Sequence, residues 1–246
     1  MNMKEYINKD TISLYARTNE EFIDTPIKGI ILEFPGLDGG SCLGGVNNVG
    51  TYDDIFALHC AKKGIILAYI FTGPWSWMNK GSVRIADAVV DAIKEKYELD
   101  EVPIVSSGGS MGGLGAMIFT ARTHHKITAC SAACPCCDVL DRFDTHPDFP
   151  RTYIRAVSGY DGESLTDALK TISPMHCMDE FPTIPYFFAN CCADEIFPEE
   201  QLDDFVEKMI AKGHDVEYVK MPGKLHGEFS DEGISRLRDF QLKFFQ

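Results

Sequence analysis

The stretch Val102-Pro-Ile-Val-Ser-Ser-Gly108-Gly109-Ser110-Met111-Gly112-Gly113 reads as a buried strand, a glycine-crowded turn and the start of a helix. Ile104 and Val105 are β-rich, and beyond the turn Leu114, Met117, Ile118 and Ala121 recur at helical spacing. Glycines two residues to either side of Ser110 fit the Gly-x-Ser-x-Gly elbow, which holds a serine hydroxyl out at its apex. A side chain at position 108 or 112 would crowd the strained backbone and hold helix and strand apart. The same letters occur in ordinary Gly-Ser-rich loops, so the motif gains meaning only from what stands elsewhere in the chain.

Outward from this turn, short apolar runs alternate with helical patterns, the signature of stacked βα units and an α/β fold with a mostly parallel sheet. Strands are expected at Gly29–Phe34, Ile65–Phe71, Pro103–Ser107, Ile127–Ser131, Ile184–Ala189 and Val216–Lys220. An early hairpin over Ser13–Ala16 and Glu21–Asp24 would bring the sheet to about eight strands. Ile85, Val89, Ile93 and Tyr97 recur every four residues. Leu202, Phe205, Val206, Met209 and Ile210 form a second stripe, and Ile234, Leu237, Gln241 and Phe244 a third. All three read as helix faces turned to the core. Between Asp138 and Ser173 the rhythm breaks into aromatics, prolines and charge, with Phe143, His146, Phe149, Pro150, Tyr153 and Tyr160. Such a long connection is expected to be a small cap over a site, inside one domain spanning residues 1–246.

A serine hydroxyl becomes a nucleophile only beside a base, and the base needs an orienting acid. In a parallel sheet such groups gather on loops just after the strands. Ile184-Pro-Tyr-Phe-Phe-Ala-Asn190 runs as a strand into a turn bearing Asp194, and Val216-Glu-Tyr-Val-Lys-Met runs into one bearing His226. The order Ser110, Asp194, His226 is that of the nucleophile-elbow enzymes. Glu195 is the competing acid. His214 stands at the wrong end of its strand and is expected in solvent. His124 and His125 follow a helix and would interact with its C-terminal dipole. His146 and His176 would reach the site only through the cap and are expected on the surface. Ser106 and Ser107 are expected to point into the sheet.

With these turns in register the chain resembles the α/β-hydrolase superfamily over nearly its whole length. Asp194-Glu195-Ile196-Phe197-Pro198 is similar to that family's acid loop, and Pro222-Gly223-Lys224-Leu225-His226-Gly227 to its histidine loop. Ser173-Pro174 resembles a segment that short esterases and prolyl-oligopeptidase-like hydrolases carry before the acid strand. The resemblance implies the α/β-hydrolase fold and a serine enzyme cleaving an ester or amide bond, with Ser110, His226 and Asp194 catalytic and no metal or organic cofactor. The oxyanion would be held by the N–H of Met111 and by a second N–H from the loop Pro35-Gly36-Leu37, with Leu37 the expected donor. Many family members have His-Gly where this chain has Pro35-Gly36. Trp75 and Trp77, in the loop Thr72–Asn79 after a strand, are either walls of the substrate pocket or a brace beneath the cap. A small carboxylic ester is the expected substrate, because the sequence holds no large gating domain of the kind that long peptidases of this resemblance carry. A peptidase, an acyltransferase and a non-catalytic ligand-binding module on the same fold are the alternatives.

Composition narrows the partners. The 246 residues carry a formal net charge of −14, which repels phosphate backbones and anionic membranes and argues against nucleic acid as a partner. No apolar run approaches the roughly 18 residues of a membrane span. The first ten residues lack the apolar core of a secretory signal, so a cytoplasmic location is expected. Nine cysteines, an odd number, are then expected to stay reduced and packed as small hydrophobes. Neither Cys134-Pro135-Cys136-Cys137 nor Cys191-Cys192 supplies the paired C-x-x-C spacing of a structural zinc site.

Overall fold

The computed structural model describes residues 3–37, 52–160, 162 and 164–246. Seven strands form one sheet: β1 (Ala16–Thr18), β2 (Gly29–Phe34), β3 (Ile65–Ile70), β4 (Ile104–Gly109), β5 (Ala129–Ala133), β6 (Pro185–Cys191) and β7 (Asp215–Met221). Their order is β1-β3-β2-β4-β5-β6-β7, parallel throughout except for β1. Seven helices flank it: α1 (Ile55–Lys62), α2 (Lys80–Lys96), α3 (Met111–Arg122), α4 (Phe149–Val157), α5 (Leu165–Lys170), α6 (Glu199–Ala211) and α7 (Asp231–Leu242). This is the α/β-hydrolase fold. No helix among the described residues is long and apolar enough to cross a membrane.

The strands are apolar runs because both faces of the sheet are covered. Alternate residues enter different cores: Ile30, Leu32 and Phe34 of β2 join one cluster with α2, α3 and α6, whereas Ile31 joins the other with α1 and α7. Tyr186 and Phe188 of β6 divide from Phe187 and Ala189 in the same way. Even the polar pair in β4 obeys the alternation. Ser106 Oγ shares a hydrogen bond with Thr120 of α3, while Ser107 Oγ accepts one from Gln241 Nε2 of α7 at 2.6 Å. The helix stripes face these cores as expected, save that Ile210 ends its stripe half-exposed at 53%.

The expected early hairpin is not formed. Only one strand, β1, lies there, between single 3-10 turns at Ile12–Leu14 and Glu20–Phe22, so the described sheet has seven strands rather than about eight. β1 pairs antiparallel with β3, Ala16 opposite Ile70 and Thr18 opposite Ala68. What fixes this edge is Asn19, a fully buried side chain that no apolar pattern reveals. Its Nδ2 donates to the carbonyls of Ala57 (2.8 Å) and Ile65 (3.0 Å), and its Oδ1 accepts from Leu67 N–H (2.9 Å). One amide thus ties the end of β1 to both α1 and β3.

The cysteines pack as small hydrophobes: seven of the eight described are buried, Cys192 being the exception. Burial pushes the Cys130 thiol up to about 11 and that of Cys136 up to about 12, which keeps both protonated at neutral pH. His214, expected in solvent, is instead half-buried, its ring edge-on to Tyr186 at 5.5 Å. Removing the Asn19 amide leaves three buried backbone groups without their partner, so Asn19→Ala is expected to cost about 2–4 kcal/mol, read from the denaturant midpoint at unchanged slope.

Candidate active site

The outgoing chain of β2 leads through α1 to β3 on one side, and that of β4 leads through α3 to β5 on the other. The strand order therefore reverses between β2 and β4, and the crevice at their ends is where a doubly wound sheet places its ligand. Ser110 stands on one lip and Gly36-Leu37 on the other. Ser110 precedes the first turn of α3 with φ 57° and ψ −126°. Its N–H donates to Ala133 O at 2.9 Å, which fastens the turn to β5. A non-glycine residue in this left-handed region costs on the order of 1–3 kcal/mol and persists only where its surroundings impose it.

Here the surroundings are two glycines. A methyl group on Gly108 would strike the Gly112 carbonyl, and one on Gly112 would overlap the Phe34 carbonyl. Each glycine is a close approach rather than a flexible point. Together they let the start of α3 touch the end of β2, which puts the Ser110 hydroxyl over the crevice.

Asp194 follows β6 and is buried, its side chain fully covered. Oδ1 accepts the N–H groups of Ile196 (2.8 Å) and Phe197 (3.0 Å), so the local turn holds one oxygen. Oδ2 lies 2.6 Å from His226 Nδ1, and His226 Nε2 lies 2.9 Å from Ser110 Oγ. Three residues separated by up to 116 positions form one hydrogen-bonded line. Glu195, the competing acid, is exposed, whereas Asp194 is the acid bonded to His226. The Met111 N–H, first of α3, has no partner inside the helix and lies at its positive end.

The line opens on a cavity of about 490 Å3, bounded by Gly36, Leu37, Tyr69, Trp77, Ser110, His146, Asp148, Phe149, Ile196, Phe197 and His226. The two tryptophans part company here. Trp77 is fully buried, lines the cavity and packs on Phe149 (5.8 Å, edge-on) and Tyr153 (4.4 Å) of α4. It is thus both pocket wall and brace. Trp75 is 40% exposed and does not border the cavity, so of the two alternatives the pocket wall applies to Trp77 alone. The backbone explains the split: Trp75, Trp77 and Met78 all have positive φ (55°, 45° and 48°), so the loop coils tightly and sends successive side chains apart.

His146 also departs from expectation. It borders the cavity, with Nδ1 accepting the Asp148 N–H at 3.2 Å and its ring 5.1 Å from Phe149. His176 stays outside, bonded through Nδ1 to Ser173 Oγ at 3.0 Å. Tyr69, Phe149, Ile196 and Phe197 are cavity residues that sequence reading did not assign. For Ile196 and Phe197 a signal existed, since they stand directly beside Asp194. Of the expected loop after β2, residues 38–51 lie outside the described residues, and with them Asp38, Gly39, Gly40 and Cys42.

Residues 76–246, which carry Ser110, Asp194 and His226, match the model of the prolyl oligopeptidase family. The chain belongs to that family. That family lies within the α/β-hydrolase superfamily, as the resemblance of its turns implied. No curated protein matches the sequence. Among solved structures it is similar to dipeptidyl peptidase 4 of Porphyromonas gingivalis at 15% identity, with a TM-score of 0.68 over 89% of this chain and 31% of that one. A puromycin hydrolase aligns at 21% identity and a TM-score of 0.67, over 90% of this chain and 34% of the other. Esterase B of Lactobacillus rhamnosis aligns at 13% identity and 0.66, over 90% and 76%. At these identities the likeness is one of fold. This family member spans about a third of the length of the dipeptidyl peptidase and of the puromycin hydrolase, and about three quarters of the esterase.

The close approach at residue 112 makes a direct test. Gly112→Ala is expected to lose about 2–3 kcal/mol of stability, since the added methyl forces α3 off β2. Gly36→Ala, whose added methyl meets nothing within 4 Å among the described residues, is expected to stay within about 0.5 kcal/mol of the parent in the same unfolding experiment.

Proposed function

We propose that this chain cleaves small carboxylic esters through an acyl-serine intermediate. The observation that carries the reading is the line from Ser110 Oγ through His226 to the buried Asp194, at 2.9 and 2.6 Å, opening on an apolar cavity. With Asp194 ionised, His226 Nδ1 donates to it, and Nε2 is left as the acceptor for the serine proton. Ser110 Oγ attacks the carbonyl carbon while Nε2 takes its proton. The oxyanion is met by the N–H groups of Met111 and Leu37, placed on the two lips of the crevice. His226 returns the proton to the leaving alcohol, and water then repeats the sequence to release the acid.

A volume of about 490 Å3 falls in the ordinary range of small-molecule sites, roughly 300–1,000 Å3. Trp77, Phe149, Phe197 and Ile196 give that volume an apolar wall suited to an acyl chain or an aryl group. The α4 segment, which brings Phe149 to the cavity, acts in this reading as the cap. A peptidase using the same acyl-serine chemistry is the second reading, favoured by the match to the prolyl oligopeptidase family and by the dipeptidyl peptidase among the similar structures. Both readings share every residue of the line and differ in the leaving group.

Intact mass after treatment with a small fluorophosphonate tests the shared step. One adduct on the parent protein and none on Ser110→Ala is the expected outcome, and no adduct on folded parent protein overturns the reading in both forms. Turnover of short-chain p-nitrophenyl esters against aminoacyl and dipeptidyl arylamides then separates ester from peptide, with the esters expected to be faster in kcat/KM. On the better substrate, Asp194→Asn is expected to lower kcat on the order of 10³–10⁴-fold by releasing the imidazole into the wrong tautomer.

A further inference from the structure

A second cluster of side chains lies at the far end of α3 from Ser110. Asp87 and Asp91 stand one turn apart on α2 and so share a face. His124 and His125 follow the last turn of α3. His124 Nδ1 lies 3.2 Å from Asp87 Oδ2, and His124 Nε2 lies 3.4 Å from Asp91 Oδ1. His125 Nε2 comes within 3.6 Å of the same Asp91 oxygen. The two imidazole rings face each other at 4.1 Å between centroids. One donor atom each from Asp87, His124 and His125 fall within 4.8 Å of one another.

We propose that Asp87, His124 and His125 bind one divalent metal ion, with zinc the best match to their chemistry. Donor atoms on a tetrahedral zinc stand roughly 3.3 Å apart, given bonds of about 2.0–2.1 Å. The Asp87–His124 pair is already at that separation, and the third donor lies within 4.8 Å of both. Two imidazoles and one carboxylate are a donor set that zinc accepts readily, with water in the fourth position.

The surroundings hold these groups as outer partners hold metal ligands. Thr123 Oγ1 donates to Asp87 Oδ1, which leaves Oδ2 turned to His124. The same Thr123 oxygen accepts the His125 N–H at 3.1 Å, which fixes the start of that residue. With Nδ1 of His124 on the metal, its Nε2–H points at Asp91, a carboxylate whose other oxygen is 3.6 Å from Lys4 Nζ. His125 Nε2 also lies 3.3 Å from the Asp87 carbonyl oxygen, which holds the ring against α2. Asp87 and His125 are well covered, at 14% and 6% side-chain exposure, whereas His124 at 59% leaves an entry path.

The helix between this cluster and Ser110 has 12 residues, roughly 18 Å of rise. An ion here cannot take part in ester cleavage. Its effect is to tie α2 to the end of α3, whose other end carries the nucleophile.

Isothermal titration of the full chain with Zn2+, after removal of adventitious metal by a chelator, tests the site, alongside a thermal melt with and without the ion. The parent protein and a His59→Ala control are expected to take up one equivalent and to melt higher with zinc. His124→Ala and Asp87→Asn are each expected to bind at least tenfold more weakly and to lose the zinc-dependent rise in Tm. His124 is exposed, so its alanine variant is expected to keep the parent's fluorophosphonate reaction. No uptake by the parent overturns the proposal. So does uptake that both variants retain unchanged, which would place the zinc at other groups, such as thiols.

Discussion

The main chain of α3 runs so close to the end of β2 that a methyl group on residue 112 would overlap the Phe34 carbonyl. Much else depends on that contact. It fixes the angle at which the helix leaves β4, and with it the left-handed conformation of Ser110. It also sets the width of the crevice between the loops after β2 and β4. A larger residue at 112 would widen the crevice, draw the Leu37 loop from the serine and relax the turn toward an ordinary backbone. Strain at one residue is thus maintained by close packing of two glycines, and the helix N-terminus is brought to the place where negative charge would develop.

The electrostatics of the site follow from burial. A carboxylate without solvent is costly unless hydrogen bonds replace the water it has lost. Asp194 receives two backbone N–H groups on one oxygen and the His226 ring on the other, all within 3.0 Å. The turn Asp194–Phe197 therefore does two things at once. It stabilises a buried anion, and it aims the free oxygen at an imidazole that arrives from the next strand. Phe197 closes this arrangement, its ring 5.4 Å from His226 and stacked at 5.6 Å on Phe149 of α4. The start of α4 is in this way packed against the same turn that orients the acid.

Two groups of polar side chains thus flank α3, one at each end. At its start they are collected by strand ends and open on an apolar cavity. At its finish Asp87, Asp91, His124 and His125 are collected by a helix face and a helix terminus. The difference in setting is reflected in their chemistry. The first group is an ordered line with a single direction for a proton to move, and the second is a compact set of donors around one point.

The sequence by itself determined six of the seven strands, the main helices and the order of Ser110, Asp194 and His226. Those features were legible because each is local: an apolar run buried on both faces, a stripe at helical period, a turn with its own glycines or proline. What only the tertiary structure decided depends on partners distant in the chain. The first strand pairs with β3, some fifty residues on, and its anchor Asn19 is polar, so nothing in the sequence marked it against a hairpin. Trp75 and Trp77 read alike as letters and diverge only because three positive φ angles turn one inward and leave the other in solvent. His146 and His214 were judged by their loops, yet each is placed by a ring from elsewhere, Phe149 and Tyr186. The cavity itself belongs to no segment. It exists where the strand order reverses between β2 and β4, and its shape is set by the packing of residues from seven separate stretches of the chain.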